Sequence, residues 1–263
     1  MDGRLMRFGD RGSTPLASTS LKKSHLPGGV ISTESSFRLS ACRSSVSTEP
    51  VHQRLLTAEI LDTMNPSDPR AIRSRWDLKW INAFLGNERR ILRELRRQGQ
   101  TIASIVELGA GEGLLCENLC RNFRGATVTG LDLAPRPSPL PESIDWVRGN
   151  FLETLNDISG ESCVGSLILH HFSNADLGRL GMLLARFRTL VFCEPLRRRL
   201  PMFLSRIALP FAGEVTRHDM PASIRAGFRK GELPLLLGLD LSRWEIRESE
   251  SARGTITLSA SRG

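Results

Sequence analysis

Residues 105–113, IVELGAGEG, end an apolar run in an acid, Glu107, and follow it with glycines at 109, 111 and 113. Glycines there let the backbone turn sharply and let a ligand lie close against it. A dinucleotide loop reads G-x-G-x-x-G and sets a pyrophosphate against a helix N-terminus. Here the spacing is G-x-G-x-G with Leu114 in the sixth position, and Glu107 and Glu112 flank the loop. Carboxylates in those places oppose a pyrophosphate and favour a ligand that carries an ammonium. Asp132 closes the next apolar run, ATVTGLDL, where it is placed to accept hydrogen bonds from two ribose hydroxyls. A ribose with a cationic amino-acid arm and no phosphate describes S-adenosylmethionine.

Other residues suit proton transfer. His170 and His171 lie in LHHF, at the end of a further apolar run, where one of them is a candidate general base. The competing reading is that both donate to backbone carbonyls, and the residues do not separate the two. Neighbours on a strand face opposite ways, so one histidine of the pair is expected at the substrate. Glu194, before Pro195, is a candidate to orient a histidine or bind a substrate hydroxyl; capping a helix or pairing with an arginine fits it equally. Asp219 is a candidate to orient His218 as a base, although capping a helix that begins near IRAGF, by Asp219 or Ser223, is the simpler role. His218 stays open. The five cysteines (42, 116, 120, 163 and 193) form no CxxC pair, so no metal site and no disulfide frame is indicated.

Elements must place these groups. Stretches 101–108, 126–133, 144–150, 164–172 and 189–195 read as strands, with helices over 112–123 and 174–187 and a shorter one within 151–158. Strands joined through helices imply crossovers and a mostly parallel, doubly wound α/β sheet. RWEIRES and GTITLSA alternate with period two about a short turn, which predicts a C-terminal antiparallel hairpin on that sheet. From about 54 to 98 the spacing of Trp76, Trp80, Ile81, Phe84, Leu85, Ile91, Leu92 and Leu95 predicts N-terminal helices, broken at Gly86-Asn87 and ended by Gly99. Trp76, Trp80 and Phe84 are expected in the core, and the runs RELRRQ and RRRL on solvated faces. Residues 1–50 are rich in Ser and Thr with few acids, which predicts a disordered tail or a translation start assigned too early, or else a transit peptide. The expected organisation is a tail over 1–50, a helical cap over 51–99 and a catalytic domain over 100–263.

VELGAGEG, LDL and GNF together resemble class I S-adenosylmethionine-dependent methyltransferases, whose pattern is an acid-led glycine loop, an acid ending the second strand and Asp or Asn after the third. The resemblance covers roughly residues 100–195 and implies a Rossmann-like fold. It implies that Glu107, Gly109, Ala110, Gly111 and Gly113 hold the methionine and ribose side. Asp132, with Leu133, then holds the ribose hydroxyls, and Asn150 with Phe151 borders the adenine. Asn150 departs from the commoner Asp. RSRWDLKWINAFLGNERRILREL, LHHF and EVTRHDMPASIRAGFRKGEL resemble segments of bacterial small-molecule methyltransferases. In that group the helices before the core lid the cofactor, which puts Arg75 and Asn82 within reach of it, and acceptors are phenolic, polyketide-like or quinone-like. Gly165-Ser166 departs from the acid common there.

With 263 residues and 40% apolar content the chain has enough material for one sizeable core, and a net charge of +8 suits anionic partners. No apolar run is long enough to span a membrane, and a cytoplasmic setting is expected. The expectation is methylation of a small molecule, at oxygen. An RNA or protein methyltransferase is favoured only by the charge. A nicotinamide oxidoreductase is opposed by the glycine spacing, and a non-catalytic cofactor-binding subunit would carry the same cofactor residues.

Overall fold

The apolar runs become seven strands of one sheet in the computed structural model, which describes residues 53–65, 67–99 and 101–262. Strands β1 (Ser104–Leu108), β2 (Thr127–Asp132), β3 (Ile144–Arg148), β4 (Ser162–Ser166) and β5 (Thr189–Pro195) run parallel. The hairpin of β6 (Glu245–Glu250) and β7 (Thr255–Ser261) adds antiparallel to β5. Strand order is β3-β2-β1-β4-β5-β7-β6, so the winding reverses between β1 and β4. A crevice opens at such a reversal, at the carboxyl ends of the strands. This is the Rossmann-like, doubly wound sheet with a terminal hairpin that the sequence predicts. The expected tail over 1–50 lies outside the described residues.

Helices α1 (Ile60–Thr63), α2 (Pro69–Leu85) and α3 (Asn87–Arg97) precede the sheet. Crossovers carry α4 (Leu114–Asn122), α5 (Phe151–Thr154) and α6 (Asn174–Leu184), and the segment between β5 and β6 carries α7 (Arg199–Ala208), α8 (Glu214–Ala226) and α9 (Glu232–Leu236). On one face of the sheet, Ile91 and Leu95 of α3 and Leu115 and Leu119 of α4 bury against Ile105 and Val128. On the other, Leu177, Leu180 and Leu184 of α6 pack with Leu108 and Phe192. Each such side chain contributes about 1.5–3 kcal/mol by leaving water. Among the described residues no helix is long and apolar enough to cross a membrane.

Five expectations need correction. Residues 54–59 are not helical, and α1 is a single turn. Helices α2 and α3 do part at Gly86, which is left-handed (φ 69°), but Trp76, Trp80 and Phe84 are 50%, 63% and 64% exposed rather than buried. The reason is that α2 packs on α8 through a small and polar face. Ser74 meets Thr216 (3.0 Å), and Asp77 accepts from the Gly213 amide (2.7 Å) at the start of α8. That contact also starts α8 at Glu214, well before the IRAGF segment. The fourth strand ends at Ser166 instead of 172: Leu167 is left-handed (φ 56°) and 169–171 form a 3-10 turn. Finally, Arg197 of RRRL is buried, its guanidinium paired with Glu232 and its Nε donating to the Gly227 carbonyl (3.1 Å).

Candidate functional site

Two cavities lie along the carboxyl ends of β1, β4 and β5, with α2 as their shared wall. The first, about 470 Å³, is lined by the glycine loop, Glu107, Ser166 and, from α2 and α3, by Arg75, Asn82 and Asn87. The loop turns as its sequence requires: Gly109, Gly111 and Gly113 all have positive φ, and a Cβ on Gly109 would stand 2.6 Å from Ile168. A Cβ on Gly111 would meet nothing within 4 Å, so the backbone there is open to a ligand. The Asp132 carboxylate holds this loop, accepting from the Gly111 amide (2.8 Å) through one oxygen and the Ala134 amide (2.8 Å) through the other. Each oxygen retains a further lone pair for a hydroxyl. On the rim, Lys79 of α2 pairs with Glu112 of the loop (2.6 Å).

The floor of this cavity is rich in acceptors. Glu107 is buried, and burial pushes its carboxyl up to about 8, against the opposing hydrogen bond from Cys116 Sγ (2.8 Å). The side-chain oxygens of Asn82 and Asn87 are buried without a partner among the described residues, while Asn87 Nδ2 donates to Ser166 Oγ (3.2 Å). Orphaned buried acceptors are costly, and a donor-rich cation would satisfy them. An ammonium therefore fits. Asn150, after β3, caps α5 by accepting from the Leu152 amide (3.0 Å), and Phe151 is buried against Phe172, with ring centroids 4.9 Å apart. Leu133 is exposed beside Asp132.

The second cavity, about 420 Å³, is apolar: Leu78, Ile81, Phe84, Leu167, Phe211 and Met220 contribute to its walls. Leu78 lines both cavities, and Ser166 and Leu167 line one each, so the two adjoin across the start of the turn after β4. Its carboxylates are Glu59 and Asp219. Asp219 is occupied, accepting from the amides of Ile60 (2.9 Å) and Leu61 (3.0 Å) and standing 2.8 Å from His218 Nδ1. The expected capping role is present, but it acts on α1 across the fold rather than on a helix begun at Asp219. His218 is half-exposed on α8.

The LHHF histidines are not on a strand and do not face opposite ways. Their rings stack 4.2 Å apart on the 3-10 turn, and neither is among the residues that line either cavity. Glu194, wholly buried at the end of β5, makes this turn: it accepts from the amides of Ile168 (3.0 Å), Leu169 (2.9 Å) and His170 (3.3 Å) and from His170 Nδ1 (2.9 Å). On the other side His170 Nε2 stands 3.5 Å from Glu59 Oε1. Burial pushes the imidazole pKa down, but the hydrogen bonds with Glu194 and Glu59 outweigh it and raise it to about 9. His170 is an imidazolium at neutral pH, with no free lone pair to take a substrate proton. His171 faces Asp62 (Nδ1 to Oδ2, 3.3 Å).

Sequence reasoning missed Glu59. It precedes a one-turn helix in a segment without periodicity, and nothing local marks it. Arg54 fixes this segment, donating to the carbonyls of Ala226 (2.7 Å) and His170 (2.8 Å).

No protein family's sequence pattern matches this chain, and no curated protein matches it. Solved structures do share its fold. One is the plantazolicin methyltransferase BamL with a triazolic desmethylPZN analogue and SAH, at a TM-score of 0.60 and 10% identity over 77% of this chain and 92% of that one. Another is human N-acetylserotonin methyltransferase with SAM, at 0.54 and 15% over 76% of this chain and 60% of that one. A third is a putative O-methyltransferase of Nostoc punctiforme, at 0.51 and 11% over 68% of this chain and 56% of that one. The chain thus spans under two thirds of the human and Nostoc proteins. At such identities the likeness is one of fold.

Proposed function

We propose that this protein is an S-adenosylmethionine-dependent methyltransferase whose acceptor is a small molecule methylated at oxygen. The observation that carries the reading is the pairing of the two cavities, one rich in acceptors beneath a glycine loop and one apolar, meeting at Leu78. Glu107 and the oxygens of Asn82 and Asn87 hold the ammonium. Backbone at Gly109, Ala110, Gly111 and Gly113 runs beside the ligand, Asp132 takes the ribose hydroxyls, and Leu133 and Asn150 border the adenine, with Phe151 supporting Asn150 from the core. The cofactor supplies a methyl group on a sulfonium, an excellent leaving group, so positioning provides much of the acceleration. His170 and Glu194 build the turn between the cavities, while Asp219, beside His218, holds the segment that crosses the second one. His171 is the last residue of that turn. The small volume and apolar walls of the second cavity support a small acceptor over RNA or a protein.

Calorimetry tests the cofactor. S-adenosylmethionine and S-adenosylhomocysteine are expected to bind, and NADH not to. Losing a charge-assisted hydrogen bond of about 1.5–3 kcal/mol, Asp132→Ala should weaken binding roughly ten- to a hundredfold. Binding of NADH without S-adenosylmethionine overturns the reading.

A further inference from the structure

We infer that Glu59 is the catalytic base, taking the proton of an acidic hydroxyl, a phenol or enol, on an acceptor seated in the apolar cavity. The inference rests on the reading of that cavity as the acceptor's. Of the two carboxylates lining it, Asp219 is occupied by two backbone amides and His218, whereas Glu59 makes its two contacts among the described residues, with Ser223 and His170, through Oε1. Oε2 is the atom left for a ligand. A second group also awaits a partner: Thr255 lines the cavity, is 1% exposed, and its hydroxyl oxygen has no hydrogen-bond partner among the described residues.

The surroundings of Glu59 fix its strength as a base. From the turn after β4 it faces His170 and His171, with Glu194 of β5 beyond His170, and from α8 it faces Ser223 with Asp219 nearby. Burial pushes its carboxyl up, but the hydrogen bond with His170 and the nearby imidazoles more than reverse this, and it lies below the ordinary carboxylate range. Such a carboxylate is ionised and weakly basic, which matches an acidic hydroxyl and not an alkanol. As the oxygen–methyl bond forms and the methyl–sulfur bond breaks, its electron pair stays on sulfur and the hydroxyl proton passes to Glu59. The product is an aryl or enol ether. The imidazolium of His170 keeps the carboxylate aimed and ionised, so His170 is a positioning residue.

Two measurements test this, one without cofactor. By fluorescence titration the cofactor-free protein should bind 2-naphthol about tenfold or more tightly than 2-methoxynaphthalene, which lacks the proton, and Glu59→Gln should abolish that preference. In turnover, Glu59→Gln should lower the rate about 10²–10⁴-fold for 2-naphthol. For 4-nitrophenol, already largely ionised at slightly alkaline pH, the loss should be at most a few-fold. Glu59→Asp should fall between. S-adenosylhomocysteine affinity within twofold in both variants shows that they fold. Equal binding of naphthol and its ether, or equal rate losses for both phenols, overturns the assignment of Glu59. A protein that binds S-adenosylmethionine but methylates no phenol overturns the acceptor class. One that does not bind it overturns the earlier reading instead.

Discussion

Glu107 keeps its proton up to about pH 8 because its carboxyl is buried, yet its proposed partner is a cation. A bound ammonium stabilises the ionised form, so ligand binding at pH 7 should expel the proton. Close to one proton (about 0.9) should be released per S-adenosylhomocysteine bound, read from calorimetry in buffers of different ionisation enthalpy. Glu107→Gln should release none. A wild-type enthalpy independent of buffer would show that Glu107 is already ionised in the empty site, or never becomes so. A bound ammonium of this kind would also give the buried oxygens of Asn82 and Asn87 the partner they lack among the described residues.

At the scale of elements, the segment 53–65 matters more than its single helical turn suggests. It crosses the second cavity and brings Glu59 to His170, held by Arg54 at one end and by Asp219 at the other. Removing the Asp219 carboxylate frees two amides at the start of α1. Asp219→Ala should lower the melting temperature by about 3–8 °C and weaken 2-naphthol binding, while S-adenosylhomocysteine affinity stays within twofold. Equal losses for both ligands would mean that the two cavities are not separately held. Helix α2 is the other such element. Its exposed aromatics and its polar inner face reverse the usual amphipathic order, because its inner side meets the Ser74 and Asp77 partners on α8 and its flanks wall the cavities.

For the molecule as a whole, Glu107 and His170 both bind protons more tightly folded than unfolded. Glu107 does so by losing solvation. His170, disfavoured by burial, does so by gaining Glu194 and Glu59. Both folded pKa values are raised, so the signs agree. The Glu107 contribution is full below about pH 4.5 and is lost as pH rises through about 8; that of His170 is full below about 6.5 and is lost through about 9. Stability should therefore decline from neutral pH to about pH 9 in thermal melts. Glu107→Gln should flatten that slope below about pH 8, where Glu107 holds a proton only in the folded chain, and a slope unchanged there in this variant would exclude Glu107 as its source.

The sequence alone determined what depends on local spacing. Alternation of apolar runs and helical stretches dictated the doubly wound sheet, period two dictated the hairpin, and Glu107, the three glycines and Asp132 marked the loop proposed to take the cofactor, because each lies beside its own strand end. Only the tertiary structure decided what depends on distant partners. LHHF looked like a strand end because its residues are apolar and aromatic, yet Glu194, from another strand, draws its amides into a 3-10 turn and occupies His170. Asp219 reads as a local cap and serves a helix some 160 residues away in sequence. Glu59 has no periodicity to announce it, and its chemistry arises from Ser223 and His170, which meet it through long-range folding alone.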